Sequence, residues 1–267
     1  MKGWAVAVAI AAVVVASGVG LWVTWDSTRT SATQTELVPE DLVPTTTFPL
    51  AAGATMTTAL QACALAEGDE AGGVLGDPRV NWDRVVIDPA HRLPPDFEPD
   101  DLVSVSQAGF ASPDQVRSIV IADLAALRSA AEANGTPLVV VSGYRSYSYQ
   151  EDLFDNRVEQ VGEAEATRRT ARPGHSEHQL GTAVDVLEPG AADLTTAFAA
   201  TPQGQWLDAN AYTYGFVISY PDGASDRTCF EYEPWHLRYV GPSTAAAIRN
   251  AALTPREWML ANPAETP

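Results

Sequence analysis

The chain has 267 residues, 46% hydrophobic and 19% charged, enough apolar material for one large domain or two small ones. Acids outnumber bases 34 to 16, a formal charge of −18. Such a surface repels polyanions and argues against a nucleic-acid partner, but it says little about substrate, because net charge speaks to solubility and association rather than to fold.

Lys2 is the only lysine. The uncharged run Trp4–Trp25 follows it, and its 22 residues would reach about 33 Å as a helix, enough for a bilayer core. Trp22 and Trp25 fall at the expected interface, and Lys2 marks the cytoplasmic end. Residues 1–26 are therefore predicted to be an N-terminal membrane anchor, with the bulk of the chain on the outer side of the membrane. The competing reading is a cleaved secretory signal with a poor site at Ala16-Ser17-Gly18; the long apolar run favours the anchor. Either way the chain is exported. Cys63 and Cys229 would then meet an oxidising compartment and are expected to pair, closing a long loop, with two buried thiols as the alternative.

Residues 27–79 read as a Thr/Pro-rich linker with a short helix over Thr57–Glu67. The domain is predicted over 80–267, beginning with a proline-rich wrapping segment that carries His91, read as a packing residue. Ser112-Pro113-Asp114-Gln115 has the form of a capped helix start, with Val116, Ile119, Val120, Leu124, Leu127 and Ala131 as its apolar face and Asn134-Gly135 as its end. Leu138–Ser142 reads as a buried strand. A second helix is expected near Ser148, with Leu153, Phe154, Val158 and Val161 buried and a short charged helix continuing it over Glu163–Arg169. After a β-prone run at Thr182–Val186 come helices over Ala192–Ala200 and Pro202–Asn210. Strands follow at Gly215–Tyr220 and Trp235–Val240, then helices from Pro242 and from Thr254, the latter with a capping box. Strands interleaved irregularly with helices predict an α+β fold, a mainly antiparallel sheet flanked by helices.

Two short motifs carry the chemistry. Gly174-His-Ser-Glu-His-Gln-Leu-Gly-Thr-Ala-Val-Asp-Val186 supplies two histidines and an aspartate, and Glu233-Pro-Trp-His236 supplies a third histidine behind a glutamate. Two imidazoles, one carboxylate and a spare glutamate match the needs of a catalytic zinc centre. Spacings of seven (His178 to Asp185) and three (Glu233 to His236) put both pairs on opposite faces of a regular strand, so Gly181 and Pro234 must break the regularity. His175 is placed outside the coordination sphere, as a group that supports a ligand from behind or faces the substrate. On spacing alone, zinc ligands and ordinary polar residues both stay open.

Ser176-x-His178-x-x-Gly181-x-Ala183-x-Asp185 followed by Glu233-Pro-Trp-His236 resembles the paired signature of the VanY-type zinc D-alanyl-D-alanine carboxypeptidases, relatives of the VanX dipeptidases and L,D-carboxypeptidases. Ser142-Gly-Tyr-Arg-Ser-Tyr-x-x-Gln150, Arg172-Pro-Gly, Tyr214-Gly-Phe and Leu237-Arg-Tyr-Val-Gly241 extend the likeness over about residues 80–245. At Thr228-Cys229 the family pattern would have threonine-glycine. The resemblance implies a hedgehog/DD-peptidase-like fold in which His178, Asp185 and His236 bind Zn2+ and Glu233 is the general base. It further implies that Arg145 stabilises the oxyanion and that Ser176 and Gln150 hold the substrate's terminal carboxylate and backbone. The activity implied is removal of the C-terminal D-alanine from peptidoglycan stem peptides. L,D-carboxypeptidase action on the tetrapeptide is the nearest alternative. A non-catalytic wall-binding module on this fold and a protease of folded proteins are further ones.

Overall fold

The computed structural model describes residues 72–74, 76–191 and 193–264. The expected anchor, the short helix over Thr57–Glu67 and Cys63 lie outside the described residues. Among those described, no helix is long and apolar enough to cross a membrane.

Two small ladders precede the main sheet. Strand β1 (Gly72–Gly73) runs parallel to β2 (His91–Arg92), and β3 (Leu102–Ser104) pairs antiparallel with β4 (Gln115–Arg117). The main sheet contains β5 (Val139–Ser142), β6 (Ala183–Leu187), β7 (Phe216–Ile218) and β8 (His236–Tyr239), in the order β5-β6-β8-β7 with every neighbouring pair antiparallel. The architecture is α+β with an antiparallel sheet, as expected.

Helix α1 (Ile121–Ala133) covers one face, placing Leu124, Leu127 and Ala131 against Val140, Val184, Val186 and Leu237. Leu124 and Leu127 are fully buried, and removing such a side chain to alanine costs about 2–5 kcal/mol. Asn134 caps this helix and Gly135 leaves it at φ +76°, so its end matches the sequence pattern. Its start does not. Gln115–Arg117 is a strand, a 3-10 turn spans Ser118–Val120, and the helix begins at Ile121. Backbone demand explains the difference: Gln115 O accepts from Tyr144 N at 2.7 Å, and Arg117 N donates to Gly181 O at 2.8 Å. A helix would have consumed these groups internally; here they hold two loops of the site.

Helix α2 (Tyr147–Val161) is capped by Ser146, whose Oγ accepts from Tyr149 N, and not by Ser148. It buries Gln150 and Phe154 but leaves Leu153 and Val161 exposed, contrary to the expected face. Helix α3 (Glu163–Arg169) follows as predicted. The expected helix over 192–200 is reduced to a 3-10 turn, Thr196–Ala200, because Thr201 caps α4 (Pro202–Asn210) through Gly204 N. The chain continues through α5 (Ser225–Thr228) and α6 (Pro242–Ala251) to α7 (Pro255–Ala261), where Thr254 and Glu257 form the predicted capping box.

Candidate metal centre and active site

Sheet register builds the site. Asp185 on β6 lies directly opposite His236 on β8 and Ser142 on β5, so three side chains on adjacent strands share one face. Core residues Val184 and Leu237 pair one step along and point to α1. The parity problem is solved outside the strands. His178 sits on a 3-10 turn, Glu177–Leu180, that Gly181 closes at φ +77°. A Cβ at Gly181 would meet Arg117 Cγ at 2.9 Å, so only glycine turns the chain here. Glu233 precedes β8 in a turn, its amide donating to Tyr220 O and its carbonyl accepting from His236 N.

Each imidazole is held by its far nitrogen. His178 Nδ1 donates to Gly143 O at 2.7 Å, leaving Nε2 3.3 Å from Asp185 Oδ1. His236 Nε2 donates to Glu177 Oε2 at 2.9 Å, leaving Nδ1 3.2 Å from the same Asp185 oxygen. The three donor atoms lie within 4.8 Å of one another, and all three residues are buried. Two imidazoles and a carboxylate converging in this way, each ring oriented by a backbone carbonyl or carboxylate behind it, fit a three-ligand zinc site.

Glu177 is the group that sequence reasoning missed. It is buried, accepts from Arg238 Nη1 at 2.8 Å and Ser219 Oγ at 2.6 Å, and holds His236 as well. Arg238 follows His236 by two residues and shares its face of β8, which is how one carboxylate reaches both. Those spacings are its only trace in the sequence.

The charges are strongly coupled. Burial alone would raise Glu177, but Arg238, His236 and Ser219 hold it down to about 2. Asp185 stays well below the usual carboxylate range despite burial, held by His178, His236 and Arg145. Burial would lower His236, yet the carboxylates of Asp185 and Glu177 push it up to about 10. His178 is lowered by burial and by Arg145. Burial pushes Glu233 up to about 7; Asp185 and Glu177 add to this, while His236 and Arg145 oppose it.

A cavity of about 610 Å3 opens over the centre, lined by Arg145, Gln150, Ser176, His178, Asp185, Glu233 and His236 among others. Glu233 Oε2 stands 3.8 Å from His236 Nδ1. Arg145 reaches in from the β5–α2 loop, donating through Nη2 to Asp185 Oδ2 at 2.7 Å and through Nε to Ser142 Oγ at 3.0 Å. Gln150 steadies it: Oε1 accepts from Arg145 Nη1 at 3.4 Å while Nε2 donates to Ala171 O. Ser176 Oγ accepts from His178 N at 3.3 Å. The ring of Tyr220 packs on His236, centroids 4.9 Å apart.

His175 does not support the ligands. Leu93 N donates to Gly174 O at 2.9 Å, pinning the chain to the 88–93 segment, and His175 Nδ1 bonds Asp88 O at 2.7 Å. Glu177 occupies the supporting role instead. Cys229 takes φ +72° as the C-cap of α5, a backbone state that glycine adopts without strain. That accounts for glycine in the family pattern at this position.

A buried His/Asp/His cluster with a carboxylate beside it, on the face of an antiparallel sheet and under an open cavity, defines a mononuclear metallohydrolase-type site. The family model of VanY, D-alanyl-D-alanine carboxypeptidase, matches residues 113–242. YodJ of Bacillus subtilis (strain 168) is 41% identical over 179 residues, 65% of either chain. Among solved structures, that of the LdcB LD-carboxypeptidase is similar at 39% identity and a TM-score of 0.60, over 66% of this chain and 84% of that one. A vancomycin resistance D,D-pentapeptidase, a VanY mutant in complex with Zn(II), is 29% identical with a TM-score of 0.58, over 67% of this chain and 99% of that one. The chain spans less than two thirds of the curated relatives it matches. It belongs to the VanY family.

Proposed function

We propose that this chain is a zinc-dependent D,D-carboxypeptidase that removes the C-terminal D-alanine from peptidoglycan stem peptides. The carrying observation is the convergence of His178, Asp185 and His236 within 4.8 Å, with Glu233 against His236 at the floor of the cavity. Zinc, when bound, polarises a carbonyl oxygen and lowers the pKa of water to about 7. The remaining work falls to the chain. Glu233, tuned toward neutrality by burial, takes a proton at its Oε atoms and returns it to the departing amine. Arg145, fixed by Ser142 and Gln150, is proposed to stabilise the negative charge that develops on the scissile carbonyl. Ser176 and Gln150 line the same cavity and are proposed to receive the substrate's terminal carboxylate and backbone.

Similarity to the LdcB LD-carboxypeptidase favours a second reading, cleavage of the tetrapeptide. D-alanine release from a pentapeptide and a tetrapeptide, with Glu233→Gln as blank, separates the two. Release from neither, or purified protein without zinc, overturns both. The wall-binding reading predicts a missing ligand or base, and all four residues are present.

The same reading places the domain outside the cell membrane, tethered by the Trp4–Trp25 run, and pairs Cys63 with Cys229. Extraction of the full chain by detergent but not by carbonate supports the tether, whereas release into the medium supports cleavage. Thiol labelling under denaturing, non-reducing conditions tests the disulfide.

A further inference from the structure

We infer that Arg157 selects substrates carrying a free carboxylate two to three residues before the scissile bond. This rests on the carboxypeptidase reading above.

The cavity does not stop at the metal ligands. It runs along α2, where Gln150, Leu153, Arg157 and Gln160 all line it. Gln150 touches Arg145, so it marks the catalytic end. Arg157 lies seven residues further along the helix, about 10 Å at ~1.5 Å per residue. An extended peptide covers that distance in about three residues at ~3.3–3.6 Å each. Leu153 on this wall, and Leu194, which also lines the cavity, are partly exposed apolar contacts for the intervening backbone.

Three arginines line the cavity, and their partners differ. Arg145 is paired with Asp185. Arg169 is paired with Glu165 at 3.2 Å and with Glu231 at 2.9 Å. Arg157 has no carboxylate partner among the described residues; its side-chain hydrogen bond runs from Nη1 to Gln160 Oε1 at 3.5 Å. The sequence explains this, because the positions that face it on a helix are Leu153, Phe154, Gln160 and Val161, none of them acidic. In a chain with 34 acids to 16 bases, a half-buried guanidinium left without one stands out. Its five donors in a planar fork suit a bidentate carboxylate. In a stem peptide two groups lie at the right distance: the free carboxyl of a γ-linked glutamyl residue and that of a diamino-dicarboxylic acid at the next position. Amidation removes the charge from either.

The test uses pentapeptides that differ only by carboxyl or carboxamide, first at one of these positions and then at the other. Binding to the full chain carrying Glu233→Gln is measured by calorimetry, and D-alanine release by the parent is measured in parallel. The carboxyl form should bind about tenfold more tightly at one of the two positions, and the position identifies the group read. Adding Arg157→Gln should bring the pair within twofold of each other, and Arg157→Lys should retain part of the preference. A thermal midpoint unchanged by Arg157→Gln shows that the fold is intact. Equal affinities of the carboxyl and carboxamide forms for the Glu233→Gln chain at both positions, or a preference that survives the addition of Arg157→Gln, overturns the inference. Failure of the parent to release D-alanine overturns the carboxypeptidase reading instead, while the binding ratio still decides the role of Arg157.

Discussion

Glu177→Ala removes a buried carboxylate that faces Arg238, whose side chain is 1% exposed. Breaking one partner of a buried pair leaves the other charge uncompensated, at a cost of about 3–5 kcal/mol. The depressed pKa of Glu177 expresses the same pairing with Arg238. Its carboxyl is held from 4.5 down to about 2 in the folded chain, and at 1.36 kcal/mol per pKa unit this is worth about 3 kcal/mol. The sign follows from the depressed folded pKa: the stabilisation is fully present above about pH 4.5 and is lost as pH falls toward 2. The melting temperature at pH 7 should drop by about 10 °C, taking ~2–4 °C per kcal/mol for a domain of this size. Glu177→Gln should cost less at pH 7 and should lose less stability than the parent between pH 4.5 and 3. Glu177→Ala frees His236 Nε2 from its acceptor, so its zinc affinity should fall about 10–100-fold, whereas the amide oxygen of Glu177→Gln still accepts from that nitrogen and should cost less affinity. Calorimetric melting of the metal-free protein at three pH values, with chelator competition for zinc, measures both effects. A shift under about 2 °C together with an unchanged zinc affinity would refute the reasoning.

Zinc binding at pH 7 should release about one proton, because His236 is held up to about 10 and must be deprotonated to coordinate; the buffer dependence of the binding enthalpy counts it. Glu233→Gln should lower kcat by about 10³-fold while zinc content stays at the parent level. The acid limb of kcat/KM should fall below pH 7: burial holds Glu233 near 7, and a dication beside it favours the charged form. A limb above 7 would contradict this. Arg145→Lys should lower kcat by about 10²-fold with little change in fold stability, since a single ammonium cannot face Ser142, Gln150 and the cavity at once. Gly181→Ala should destabilise by about 1–3 kcal/mol, through positive φ and the approach of Arg117, as read by chemical denaturation.

What was legible in the sequence was local. The capping box at Thr254, the end of α1 at Asn134-Gly135 and the short apolar strands all depend on neighbours a few residues apart. The cluster of His178, Asp185, His236 and Glu233 was legible through the two short motifs that carry the family resemblance, since their spacing alone leaves zinc ligands and ordinary polar residues both open. The misreadings are non-local. Ser112-Pro113-Asp114-Gln115 has good helix-start chemistry, but Gln115–Arg117 is claimed by β3 and by the loops at Tyr144 and Gly181. His175 looked like a supporter because it is adjacent in sequence, and the backbone pinning at Gly174 turns it toward Asp88. Glu177 was invisible because an acid beside a histidine reads as surface charge until Arg238 and Ser219 are folded against it.

The pairing of Asp185 with His236 across β6 and β8 has a consequence for how the family can diversify. The ligand spacing is set by strand register, so it is indifferent to the length of chain between the two residues. That intervening stretch supplies Leu194, Thr195, Thr196 and Tyr232 to the cavity wall. Insertions and deletions there can rebuild the mouth of the cavity while the ligands stay in place. A single-residue slip within Ala183–Leu187 would instead turn Asp185 to the α1 side and abolish the centre. Length variation among relatives should therefore collect between the strands and be absent within them.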